Sequence, residues 1–72
     1  MSNLIAEAID VLKVAVNNDS EYAWSWHCNL AMSAYDEGLS KPAANRSAAR
    51  FMKLLFDVDM TKHEYFKDTQ GE

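Results

Sequence analysis

Two tryptophans, a histidine, a cysteine and an asparagine fall within six consecutive positions, from Trp24 to Asn29, inside the stretch SEYAWSWHCNLAM. His27 and Cys28 belong to the residue types that ligate zinc or carry nucleophilic catalysis. Their spacing argues against a shared task, because adjacent residues on a helix point about 100° apart. A zinc site needs three or four ligands, and His63 is the only other histidine. A reactive thiol needs a lowered pKa, which the first amides of a helix can supply, but Cys28 falls two turns inside one. The chain has two glycines, too few to build a Gly-rich oxyanion hole or phosphate cradle, and no paired-carboxylate motif or dinucleotide fingerprint is present. The expectation is a protein without enzymatic activity, metal or cofactor, in which Cys28 is a small buried hydrophobe.

The elements that position these residues read as helices. From about Asn3 to Val16, the residues Leu4, Ile5, Ala8, Val11, Leu12 and Ala15 recur at helical spacing and predict one core-facing stripe, with Ser2 or Asn3 as cap. Ile9, Val14 and Val16 fall outside that stripe, so the apolar sector is wide or part of it meets another molecule. The run NNDS at 17–20 reads as the break before a second helix, from about Glu21 to Glu37, capped by Asp19 or Ser20. Gly38 is placed to close that helix in the left-handed conformation, with Leu39 as its apolar clasp. A third helix runs from about Lys41 to Asp57, capped by Ser40, with Pro42 tolerated in the first turn. Its core stripe is Ala44, Ala48, Phe51, Met52, Leu55 and Phe56. TKHE at 61–64 reads as a capping box, Thr61 with Glu64, opening a short helix to about Lys67 that Tyr65 and Phe66 anchor; 67–72 read as a loose tail. The fold class expected is all-α: a compact bundle of three main helices plus a short C-terminal helix, in one domain spanning 1–72. Short connections make neighbouring helices fold back on each other.

On the second helix, apolar residues lie on two faces, which marks it as the central one. Trp26 shares a stripe with Ala23, Leu30 and Ala34 and reads as core. Trp24 points about 200° away. It is either covered by its own chain or, with Tyr22, exposed for a partner, since exposed aromatics are enriched in binding hot spots. His27, Asn29 and Asn45 are polar groups among apolar neighbours and are expected to form a polar network, although Asn29 can equally be solvated.

Charge is split. Residues 41–56 carry Lys41, Arg46, Arg50 and Lys53 and no acid, against a net charge of −4 for the whole chain. Arg46, Arg50 and Lys53 form a stripe that can grip an acidic partner, or pair internally with Asp36, Glu37 or the acids at 57–59. Direct nucleic-acid binding is the weaker expectation, because four cations against an acidic remainder make a thin footprint and no recognition motif accompanies them.

Seventy-two residues make one domain at most, with a small core for which a partner subunit is a common remedy. The single cysteine excludes an intrachain disulfide and fits a reducing compartment. No apolar run approaches the ~20 residues that span a bilayer. The N-terminal segment has Glu7 and Asp10 ahead of its first lysine, unlike a signal peptide. The expected location is cytoplasmic, without membrane association.

The strings EYAWSWHCNLAM, ANRSAARFMKLLFDVD and TKHEYF, covering roughly 21–66, resemble small uncharacterised accessory proteins of tailed bacteriophages and prophages. The resemblance implies no activity and no ligand for His27, Cys28 or His63. It implies a setting, the cytoplasm of an infected bacterium, and a kind of function: binding a host protein or nucleoprotein complex and modulating or inhibiting it, as anti-defence factors of the anti-CRISPR type do. The alternatives carried forward are a homodimer or other homo-oligomeric structural protein, and a weak nucleic-acid binder acting through the basic face of the third helix.

Overall fold

The computed structural model describes residues 3–66. Three helices follow in order, α1 (Leu4–Asn18), α2 (Ser20–Asp36) and α3 (Lys41–Phe56), and then one 3-10 turn, Met60–Lys62. No strand occurs among the described residues. The fold class is all-α.

Each helix begins where a short polar side chain can take up its unpaired amides. Asn3 accepts from the Ala6 amide at 3.1 Å. The Asp19 carboxylate accepts from both Glu21 and Tyr22, at 3.0 and 3.1 Å. Ser40 accepts from Ala43 at 3.3 Å. At the end of α2 the Leu39 amide donates to Ala34 and the Gly38 amide to Tyr35. This pair of bonds needs a residue at positive φ, and Gly38 has φ 108°. At the end of α3 the same backbone region is taken by Asp57, φ 55°, one of the few side chains that tolerate it. The Asp57 carboxylate meets Lys53 at 2.9 Å.

The closest pairing is α2 against α3. Ala23, Ala44, Ala48 and Ala49 are all buried, and small side chains at a contact let helix axes approach. Around them Val16, Met52, Phe56 and Met60 complete the core, with Ile9, Leu12, Trp26, Leu30, Leu55 and Val58 packed against it.

Several features differ from expectation. The C-terminal helix is a three-residue 3-10 turn, and its cap is Asp59 rather than Thr61. The Asp59 carboxylate accepts from both the amide and the hydroxyl of Thr61, so Thr61 is a donor to the cap and the Thr61–Glu64 box does not form. Ser2, Lys67 and the tail 67–72 lie outside the described residues. Phe51 is 48% exposed, because the face of α3 that meets α2 is centred on Ala48 and Met52.

The largest departure is α1. The expected break at 17–20 reduces to one residue, Asp19, between α1 and α2. With no loop to turn the chain round, α1 is anchored near its end, through buried Val16 and half-buried Ile9 and Leu12, and residues 3–8 are exposed at every position. Leu4, Ile5, Val11 and Val14 are 62–74% exposed. Of the stripe expected to be core, only Leu12 is even partly covered.

Candidate functional site

Trp24 and His27 of α2 meet the segment that follows the 3-10 turn. Trp24 is the centre of that meeting. One face of its indole stacks on His27, with ring centroids 4.8 Å apart and planes 12° from parallel. His63 also stacks on it, at 5.2 Å and 22°, and Tyr65 meets it edge-on at 5.8 Å. Trp24 is thereby half-buried within its own chain. Trp26 lies elsewhere, edge-on to Phe56 at 5.5 Å.

His27 is the most buried polar side chain, 1% exposed. Its Nε2 lies 2.6 Å from Asn45 Oδ1 on α3. With a carbonyl oxygen opposite it, Nε2 carries the proton and donates. Nδ1 is then a bare lone pair, buried without a hydrogen-bond partner. Burial holds the His27 pKa below the ordinary histidine value; the Asn45 bond opposes this, and the nearness of His63 adds to it. The neutral ring is therefore the working state, and its face is what the site uses. Phe66 closes the other side, edge-on at 5.8 Å.

His63 is held differently. Its Nε2 donates to the Ser20 carbonyl at 2.9 Å, and its Nδ1 accepts the Tyr65 amide at 3.1 Å. One partner needs a hydrogen and the other a lone pair, so the pair of bonds places the donor hydrogen on Nε2 and the acceptor lone pair on Nδ1. His63 thus straps the C-terminal segment to the first turn of α2.

Asn29 stands outside this group: it is exposed, while His27 and Asn45 pair without it. Tyr22 is 38% exposed near the start of α2. Cys28 is half-buried and lines a separate apolar cavity of about 350 Å³ with Ala31, Met32, Tyr35 and Ala44. Burial pushes its thiol pKa up, away from the thiolate a nucleophile requires. Among the described residues, no three or more His, Cys, Asp or Glu side chains gather as a metal would need.

The basic stripe is brought to one place. Arg46, Arg50 and Lys53, all exposed, line a groove of about 340 Å³ between α3 and the C-terminal segment, with Ala49, Asp59, Thr61 and Phe66. Lys53 is engaged by Asp57. Lys41 is not part of the groove and lies by the Cys28 cavity.

Reasoning from sequence missed Asp59 and His63 as the residues that shape this end of the molecule. Asp59, two residues before Thr61, carries the local signal of an Asx turn. His63 carries none, since its partners Ser20 and Trp24 are about forty residues away. No helix is long and apolar enough to cross a membrane among the described residues. No known protein family, curated protein or solved structure matches the chain.

Proposed function

We propose that this chain acts by binding rather than catalysis: a small accessory protein of phage type that docks on a host macromolecular complex and modulates or inhibits it, an anti-defence role being one form. The observation that carries the reading is the outer face of α1. Leu4, Ile5, Val11 and Val14 stand largely in solvent, on a helix whose first two turns touch little else. Leu4, Ala8, Val11 and Ala15 are spaced by four, three and four residues. That is the register of anchors by which one helix lies in an apolar groove of a partner protein. Exposed apolar patches of this kind mark interaction surfaces.

The Trp24 layer supports the same reading. His27 spends its hydrogen bond on Asn45 of α3 and its ring faces on packing, and His63 spends both its bonds on holding the C-terminal segment, which is structural work. Burial raises the Cys28 thiol pKa, which disfavours the thiolate a nucleophile needs.

The test is capture from bacterial lysate with the wild-type chain and with a Leu4→Lys/Val11→Lys variant. A partner recovered in stoichiometric amount by the first and lost by the second, with helical circular dichroism unchanged, supports the proposal. Equal recovery by both, or no specific partner, overturns it.

A second reading is self-association through the same face. The seam spacing is also that of coiled coils, and an antiparallel pair sets Leu4 against Ala15 and Val11 against Ala8, large against small. Sedimentation across a concentration range separates the two: a dimer dissociated by Leu4→Lys favours this reading, and a strict monomer rules it out.

A further inference from the structure

We infer that the groove between α3 and the C-terminal segment is a binding site for an acidic peptide segment that carries an apolar side chain. The inference does not depend on the α1 face. Arg46 and Arg50 are one helical turn apart, so their side chains rise side by side. Lys53 is paired with Asp57. Arg46 and Arg50 make no ion pair among the described residues. Guanidinium groups are built for bidentate grip on carboxylates. Below them the groove has an apolar floor, Ala49 and the half-buried ring of Phe66. A volume of about 340 Å³ has room for one large side chain, near the lower limit for specific ligand pockets.

The two halves of the groove together select the ligand. A bare phosphate would use the arginines and leave the floor unused. A duplex backbone would not enter a space this small. A nucleic-acid single strand could reach the floor with a base, but its dense charge meets Asp59 at the groove wall and a chain of net charge −4. A short peptide with carboxylates on either side of a phenylalanine or leucine satisfies the arginines and fills the floor, at lower charge density. The Phe66 amide donates to the His63 carbonyl at 3.0 Å and its ring meets His27 edge-on, so these two residues place the Phe66 part of the floor.

The test is fluorescence anisotropy of the full chain with a labelled peptide of alternating Glu and Asp around one Phe. The comparison probes are the same peptide with Phe replaced by Ala, a short labelled oligothymidylate, and inorganic phosphate as competitor. The expected result is saturable binding to the acidic Phe peptide that weakens with salt, falls at least tenfold in Arg46→Gln/Arg50→Gln, and falls several-fold when the peptide's Phe is replaced. Both arginines are exposed, so the variant folds, and circular dichroism verifies this. No saturable binding, unchanged affinity in the arginine variant, displacement by millimolar phosphate with no dependence on the peptide's Phe, or tighter binding of the oligothymidylate each overturns the inference.

Discussion

His63 lies flat on Trp24, ring centroids 5.2 Å apart and planes 22° from parallel, and this contact joins the C-terminal segment to the second helix. Trp24 is on the second turn of α2, and His63 follows the 3-10 turn after α3. His63 and His27 together place Phe66, and hence part of the floor of the groove beside Arg46 and Arg50.

Truncating that contact should loosen one end of the molecule and leave the rest. His63→Ala removes the bond to Ser20, the acceptor for the Tyr65 amide and one stacking partner of Trp24. A loss of about 1–2 kcal/mol is expected, the range for deleting exposed hydrogen bonds and an aromatic contact. Urea unfolding measures it. Amide exchange should then quicken in 60–66 and not in α2 or α3; uniform quickening would show that His63 supports the whole core instead.

His27 makes stability depend on pH. Its folded pKa is lowered by burial, whereas the unfolded chain takes up a proton near the ordinary value of about 6.5. Between the two values the unfolded state binds more protons, so stability falls as pH drops from about 6.5 through the folded value, by about 1.4 kcal/mol for each unit of separation. Above neutrality this group contributes no slope. Asp57 and Asp59, lowered by hydrogen bonds from Lys53 and Thr61 respectively, lose their contributions only at more acidic pH, as pH falls from the usual carboxylate value through the lowered folded one. Urea midpoints at pH 7 and pH 5.5 should converge in His27→Gln; a variant that keeps the wild-type slope would assign the effect elsewhere.

Asn45→Ala leaves the His27 Nε2–H buried without an acceptor, in a ring whose Nδ1 already has none. The expected cost is about 1–3 kcal/mol. Asn45→Asp, which keeps an acceptor and adds a charge, should raise the His27 pKa, visible in the ring proton shifts by NMR. No movement of those shifts would mean that the two side chains do not meet in solution.

Gly38→Ala tests backbone conformation alone. A Cβ at Gly38 meets nothing within 4 Å, but φ is 108°. The substitution should cost about 1 kcal/mol or more purely from the left-handed backbone. Thermal unfolding of the variant reads it, and an unchanged midpoint would indicate that the α2–α3 turn relaxes freely.

The helices were legible because their ends are local events. Asn3, Asp19, Ser40 and Gly38 each act within three residues of themselves, and a single sequence carries that information. The direction of α1 was not legible. It turns on whether Asn17 and Asn18 belong to a loop or to the helix, and both lie in the last turn of α1. Asn17 bonds back to the Lys13 carbonyl at 2.8 Å and across to Phe56 at 3.0 Å. That one-residue joint leaves the periodic stripe of α1 facing solvent, although periodicity alone cannot tell a core face from an interface. The site was half legible. Trp24, His27 and Asn45 stood out by type, and the structure brings them together. His63 and Asp59 did not, because their roles depend on contacts across the fold or on competition between Asp59 and Thr61 for one set of amides.

The outer face of α1 can be tested directly by amide exchange along residues 4–15, in the isolated chain and in the complex captured from bacterial lysate. Alone, the first turns should exchange within the fastest class of helical amides, since residues 3–8 are exposed at every position. In the complex, protection should rise along Leu4–Ala15 while α2 and α3 change little. A complex that forms with α1 exchange unchanged would contradict the docking surface assigned to it.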